Sequence, residues 1–456
     1  MKSICFALLL LAPLQTIAQV SLQEKIGQML MVAYTNSASK DTLLMDISER
    51  HLGGVILFGA NLQNPAQMAE LTGELQSLVT RYELFIATDQ EGGRVARLGS
   101  SNGFTTTNSA NTTGNVWNSV DSTRAQAGRM AGWLESVGIN VNLAPVVDVN
   151  TFQFSPAIGG LGRSYSPLPA TVTAHSEAFI QEFTARDIAT AVKHFPGHGS
   201  ARSDSHLGFT DITSYWLPYE LDPFRDLAAS GTLDMVMTGH LMMRGWDSTY
   251  PASLSTVAIS DKLRGELGFQ GVVISDELFM GAIKNNYTFE EAIIQTIRAG
   301  TDILLYNTNL RDGTSLVRQV TDVVMQAIAN GELDESMIET SYRRILNLKV
   351  KRNITSIDRV MSDSPTSIEL KQNVPNPFNP NTVVSFTVGT QDLASVRTRL
   401  AVYDLLGREV AVLVNSVLPA GEHRVTFNGS MLPSGMYLYR LESNGFAVTK
   451  KMMLVK

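Results

Sequence analysis

Cysteine is almost absent from this chain. Its single copy, Cys5, sits in an N-terminal stretch made of Met1-Lys2, the apolar run Ile4 to Leu14, and then Thr16-Ile17-Ala18. A positive start, an apolar run too short to cross a bilayer and small residues at its end predict a secretory signal cut after about Ala18. The mature chain then carries no thiol, which excludes disulfides, a thiolate nucleophile and cysteine metal sites. Cys5 is not at the cleavage point, which argues against a lipid-anchored start. An excess of positive charge is missing as well: 36 Lys and Arg stand against 43 Asp and Glu, a net charge of -7. Phosphate binding needs a basic face, so nucleic acid is not expected as a partner. No Gly-x-Gly-x-x-Gly follows the first apolar strand, and a dinucleotide site loses its main support. No transmembrane segment is expected in the mature chain.

Histidine is also scarce, and what there is of it is concentrated. Three of the 7 histidines fall between Lys193 and His206, in K-H-F-P-G-H-G-S-A-R-S-D-S-H. The preceding Ile188 to Val192 has the short, β-branched composition of a buried strand, which Pro196, Gly197 and Gly199 then stop. A strand that delivers a Lys-His pair, followed by a small-residue loop bearing Asp204 and His206, uses more polar residues than a fold needs.

Hydrophobic residues make up 44% of the chain and charged ones 17%, enough for a large core. From Leu22 to about Lys351, apolar strands alternate with amphipathic helices. The strands are read at Met29 to Ala33, Val55 to Phe58, Leu84 to Thr88, Val141 to Val147, Ile188 to His194, Met235 to Thr238, Val272 to Ser275 and Ile303 to Tyr306. Helices are read at Pro65 to Tyr82, Ser122 to Val137, Ala170 to Ala185 and Phe289 to Ala299. Eight such units favour a closed (β/α)8 TIM-like barrel over an open doubly wound sheet. Asp89, His194, His240, Asp276 and Asn307 each follow a strand, on the face where such barrels carry their catalytic loops.

The chain then turns polar and aperiodic, which reads as a linker over residues 353–367. Beyond it come the alternating segments Val383 to Val388, Arg399 to Tyr403, Glu422 to Phe427, Met436 to Glu442 and Ala447 to Val455. Short strands at this spacing predict a small antiparallel β-sandwich. The expected division is a leader at 1–18, a barrel at 19–352, the linker, and the sandwich at 368–456.

K-H-F-P-G-H-G followed by D-S-H does not stand alone. T-D-Q-E-G-G-R-V-A-R at Thr88 to Arg97, L-A-P-V-V-D-V-N at Leu143 to Asn150, G-R-S-Y at Gly162 to Tyr165 and G-F-Q-G-V-V-I-S-D-E-L at Gly268 to Leu278 accompany it. Together they resemble glycoside hydrolase family 3, and within it the β-N-acetylglucosaminidase (β-hexosaminidase) branch, over Ser21 to about Lys351. The resemblance implies a retaining glycosidase that removes terminal N-acetylhexosamine, with Asp276 as the nucleophile. Retention requires an ionised carboxylate at the anomeric carbon and a proton donor for the leaving oxygen. The implied donor is His206 paired with Asp204, an imidazole able to give and take a proton near neutral pH. Asp89, Arg97, Arg163, Lys193 and His194 match the family's substrate-binding positions, and Asp148 reads as structural support. Glu277 and Phe279 depart from the more usual Asp and Ser after the nucleophile. Gly197, Gly199 and Ser200 are expected to give the His206 loop freedom to close. Aglycone choice is expected in loops such as Gly99 to Asn115.

Other readings of the same residues stay open. Asp276 can cap the next helix, Arg97 can pair with Glu91, and His206 can be an idle surface histidine. His194, His198, Asp204 and His206 could together hold zinc in a metal-dependent hydrolase; the glycosidase reading requires no cofactor. A histidine acid would not repel phosphate, which leaves a β-N-acetylglucosaminide phosphorylase as an alternative. The C-terminal N-P-F-N-P-N-T, Y-D-L-L-G-R-E-V, L-P-S-G-M-Y and T-K-K-M-M-L-V-K resemble a type IX secretion sorting domain. A plain immunoglobulin-like spacer or a carbohydrate-binding sandwich are the alternatives, although few aromatics beyond Tyr437 and Tyr439 are available there. The expected partners are an N-acetylglucosamine-containing glycan (muropeptide or chitooligosaccharide) and the type IX secretion machinery. The expected location is secreted or cell-surface, reached through the periplasm.

Overall fold

The computed structural model describes residues 20–35, 37–79, 82–205, 208–354, 369–388, 395–404, 408–419, 421–443 and 446–456. The expected leader and nearly all of the expected linker lie outside the described residues. The chain divides into two compact units, one of them Ser21–Ser356, the other holding the C-terminal strands.

Eight strands organise the first unit: β1 (Leu30–Ala33), β2 (Gly54–Ile56), β3 (Phe85–Thr88), β4 (Val141–Asn142), β5 (Ala189–Phe195), β6 (Met235–Thr238), β7 (Val272–Ser275) and β8 (Leu304–Tyr306). Each pairs in parallel with the next from β1 to β7, and β8 returns to pair with β1. A single bridge, Ile274 to Ile303, joins β7 to the start of β8 and closes the barrel. The strands are buried along their whole length. Strands covered on both faces have no polar side to show, which is why they read as continuous apolar runs.

The helices between them start where side chains can take the free N-terminal amides. Asn64 accepts the Gln67 N–H at 3.0 Å ahead of Pro65, and Thr288 accepts that of Glu291 at 3.1 Å. The helix expected over Pro65 to Tyr82 ends at Ser77. Its Gln76 amide clamps both backbone groups of Leu84, at 2.9 and 3.0 Å, so the chain must leave the helix early to start β3. The fourth strand is also shorter than expected. Pro145 has no N–H to give the ladder, and pairing resumes only at Val146 opposite Lys193. Among the described residues no helix is long and apolar enough to cross a membrane.

The second unit is a two-sheet antiparallel sandwich. Its strands are β9 (Glu369–Leu370), β10 (Asn381–Val388), β11 (Ser395–Tyr403), β12 (Glu409–Pro419), β13 (Gly421–Asn428), β14 (Gly435–Ser443) and β15 (Phe446–Leu454). The sheet orders are β9-β10-β13 and β12-β11-β14-β15. Phe386, Leu400, Val402, Tyr439 and Leu454 fill the core. Tyr437 and Tyr439 belong to that interior, not to a sugar-binding surface. The Tyr439 hydroxyl accepts the Asn373 N–H at 3.0 Å and donates to the Lys371 carbonyl at 2.9 Å.

Candidate active site

At the carboxyl ends of the barrel strands, charged side chains from distant parts of the sequence form one connected network. Asp89 leaves β3 and accepts from Lys193 Nζ at 2.8 Å and from Arg97 Nη2 at 3.3 Å. Lys193, on β5, also reaches Glu91 Oε1 at 2.7 Å. Glu91 in turn holds Arg163 through two bonds of 2.8 Å, a bidentate pairing that fixes the guanidinium plane. Arg163 Nη2 lies 3.4 Å from His194 Nε2, and His194 Nδ1 lies 2.7 Å from Asp148 Oδ2. Asp148 Oδ1 accepts the backbone N–H of both His194 and His198, at 3.0 and 2.7 Å. Arg97, Asp89, Lys193, Arg163 and His194 are thus brought together by direct contact.

The charges in this network keep each other ionised. Burial by itself would raise the Glu91 carboxyl, but Arg163 and Lys193 outweigh it and hold the group far below the usual carboxylate range. Burial would likewise lower Lys193; Asp89 and Glu91 prevail against it, and the lysine is held above its ordinary value. Asp148 is lowered by His194 and His198 in spite of complete burial. His198 goes the other way: burial first, then the neighbouring His194, push its imidazole down to about 4, so it is neutral at pH 7.

Exposure differs along the network. The Arg97 side chain is 32% exposed and Asp89 15%, while Asp148 is wholly buried. Arg97 Nε has no hydrogen-bond partner among the described residues although it is shielded from solvent. Glu91 is the residue that sequence reading undervalued. Its expected partner Arg97 pairs with Asp89 instead, and Glu91 is the hub between Arg163 and Lys193.

Asp276 follows β7. Its N–H bonds the Thr238 carbonyl at 3.0 Å, and its Oδ1 accepts the Glu277 N–H at 2.8 Å. Gly239, the residue after Thr238, has no side chain, and a Cβ there would lie 3.2 Å from His194 Cβ. The ends of β5, β6 and β7 therefore place His194 and Asp276 on either side of the Thr238–Gly239 link. His240 supports this edge: its ring nitrogens bond Ser253 Oγ at 2.7 Å and the Glu277 carbonyl at 2.8 Å. Asn307 offers its backbone N–H to Glu277 Oε1 at 3.2 Å.

His206 lies outside the described residues; Asp204 beside it is half-buried. The segment leading to them is anchored more firmly than expected. Gly199 lies against the Val149 carbonyl so closely that a Cβ would collide with it, so this glycine serves close packing and not freedom of motion. Gly197 does need its lack of a side chain, with φ at 124°. Further on, Ser205 Oγ bonds His198 Nε2 at 3.2 Å, and the Arg202 guanidinium lies 3.7 Å from the Phe152 ring centroid.

A profile of the glycosyl hydrolase family 3 N-terminal domain matches residues 21–348, and one of a secretion-system C-terminal sorting domain matches residues 374–456. Over 340 residues the chain is 34% identical to beta-hexosaminidase A of Pseudoalteromonas piscicida, an alignment covering 70% of this chain and 56% of that protein. Over 343 residues it is 33% identical to beta-hexosaminidase LpqI of Mycobacterium tuberculosis, covering 73% and 84%. The chain therefore spans little more than half of the first relative's length and most of the second's. Among solved structures, a glycoside hydrolase family 3 beta-N-acetylglucosaminidase from Paenibacillus superposes with a TM-score of 0.68 at 32% identity, covering 78% of this chain and 70% of that one. A beta-N-acetylhexosaminidase from Beutenbergia cavernae superposes at 0.66 and 29% identity, covering 73% and 99%.

Proposed function

The chain belongs to glycosyl hydrolase family 3, and from that premise we propose that it is an exo-acting, retaining β-N-acetylhexosaminidase that removes terminal non-reducing N-acetylhexosamine. The observation that carries this reading is the pairing of two features at one barrel mouth. One is a carboxylate at the end of β7; the other is a preformed charged network whose exposed end is Asp89 and Arg97. A pyranose presents hydroxyls that both donate and accept. A carboxylate can accept two of them, and Arg97, Arg163, Lys193 and His194 supply donors.

The reaction proceeds in two displacements. The Asp276 carboxylate attacks the anomeric carbon while the His206 imidazolium gives its proton to the departing oxygen, so the glycosidic bond breaks as the glycosyl-aspartate forms. Neutral His206 then takes a proton from water, whose oxygen displaces Asp276 and restores both groups. Asp204 stabilises the imidazolium present before the first displacement and restored by the second. Changing Asp276 to Asn removes the attacking charge at constant shape. Turnover of p-nitrophenyl N-acetylglucosaminide should vanish while the thermal transition stays within a few degrees of wild type. Undiminished release of nitrophenol would refute the assignment.

The expected divisions of the chain fit export: a leader at 1–18, the catalytic unit at 19–352, a linker at 353–367 and the sorting domain at 368–456. Passage through the periplasm and recognition of the last segment by type IX secretion machinery would deliver the enzyme to glycans outside the cell. The sorting-domain match and a secreted glycosyl hydrolase of Arthroderma benhamiae, 30% identical, support secretion.

A further inference from the structure

We propose that Glu277 is the positioning residue for Asp276, fastening the turn that carries the nucleophile across the seam where the barrel closes. This rests on the reading of Asp276 as nucleophile. The seam between β7 and β8 is the sparsest in the ring, with one bridge, Ile274 to Ile303. Toward the mouth, side chains add to two backbone bonds across the seam, Ser275 N–H to the Ile303 carbonyl at 2.9 Å and Leu278 N–H to the Leu305 carbonyl at 3.0 Å. Ser275 Oγ accepts the Leu305 N–H at 3.0 Å, and two residues further along each chain Glu277 Oε1 accepts the Asn307 N–H at 3.2 Å. The residue held between these two ties is Asp276.

Glu277 controls its neighbour in three more ways. Its own N–H donates to Asp276 Oδ1 at 2.8 Å. Its carbonyl accepts from His240 Nε2 at 2.8 Å, which fixes the peptide plane from the β6 side. The same Oε1 that reaches Asn307 accepts the Phe279 N–H at 2.9 Å, so the turn is closed on itself as well as tied to β8. The side chain thereby fixes the turn that carries the attacking carboxylate, and the backbone N–H of the same residue holds that carboxylate's Oδ1. The charged and titratable groups facing it are Asp276, Lys284 and the buried Tyr306 hydroxyl. Burial, with some help from Asp276, pushes the Glu277 carboxyl up to about 7, so its charge state changes in the range where the enzyme would work.

The test compares Glu277→Ala with Glu277→Gln in the full-length protein, by hydrogen exchange and by turnover. Alanine removes both acceptor bonds; glutamine keeps a carbonyl oxygen for them and removes the ionisable group. Amide protection in the peptides containing Phe279 and Asn307 should fall in the alanine variant and persist in the glutamine variant. Active sites are counted with 5-fluoro-N-acetylglucosaminyl fluoride, which traps the glycosyl-enzyme. Per active site, the alanine variant should lose on the order of 100-fold in kcat, the effect of an attacking group misplaced by about 1 Å, with KM nearly unchanged. The glutamine variant should recover to within a few-fold. Wild-type protection together with wild-type kcat in the alanine variant would overturn the proposal. So would a loss explained wholly by fewer active sites. A wild-type chain that shows the expected protection but releases no N-acetylhexosamine would support the tie and overturn the hydrolase reading instead.

Discussion

Lys193 and Lys349 are both buried, at 2% and 0% exposure, at opposite ends of the same barrel. Lys193 lies at the mouth between two carboxylates, Asp89 at 2.8 Å and Glu91 at 2.7 Å, and is held charged. Lys349 lies at the other end, where its Nζ bonds, among the described residues, neutral oxygens, Gln28 Oε1 at 2.7 Å and the Gly53 carbonyl at 3.3 Å, and stands 4.8 Å from the centre of the Phe85 ring. Burial outweighs the attraction of Glu83 and pushes it down to about 7. The contrast teaches that depth alone does not mark function in this fold. The partners do: opposite charges placed at a cavity mouth preserve a charge for use, while neutral partners at the far end leave a charge that costs stability.

The largest effect should come from Lys193→Met. It leaves Asp89 and Glu91 facing each other across a buried gap, and breaking a buried pair in this way costs about 3–5 kcal/mol. Urea unfolding should show that loss together with loss of turnover; a variant as stable and active as wild type would show the pairing to be incidental. At the other end, the Lys349 pKa is lower in the folded protein than in the unfolded chain. The unfolded state therefore binds more protons between about pH 7 and pH 10, and the lysine's penalty on stability, complete below pH 7, is relieved as pH rises. Lys349→Met should therefore compare best with wild type at pH 6 and lose ground by several kcal/mol, to order of magnitude, by pH 10. A pH-independent difference between the two proteins would contradict this.

Smaller changes are expected at the exposed end of the network. Arg97→Ala removes one donor to the sugar and one partner of Asp89, and the KM for the aryl N-acetylglucosaminide should rise about tenfold, the equivalent of roughly 1.4 kcal/mol. An unchanged KM would remove Arg97 from the binding set. Prolonged treatment with a chelator should have no effect, because the proposed chemistry needs only Asp276, His206 and Asp204. Activity lost to the chelator and restored by zinc would favour the metal-dependent alternative.

Much of this was legible from the residues. The eight barrel strands are short and apolar on both faces, and Pro or Gly breaks mark several of their ends. The strand β12 escaped because E-V-A-V-L-V-N-S-V-L-P does not alternate; it lies at a sheet edge, with Val412 and Val417 exposed. Glu91 was undervalued because its partners are 72 and 102 positions away in the chain, at Arg163 and Lys193. One local signal was available: Asp89 and Glu91 are two apart on extended chain, which turns both toward the same side. The anchoring of Gly199 against Val149 had no such signal, since a glycine chosen for contact and one chosen for freedom look alike in sequence.

Everything about the chemistry depends on the carboxylate at the end of β7 bonding to the sugar. Incubation with 5-fluoro-N-acetylglucosaminyl fluoride, followed by digestion and mass spectrometry, tests that directly. A single adduct on the peptide containing Asp276 is expected. Substrate turnover with no adduct, or an adduct carried by a different residue, would contradict it.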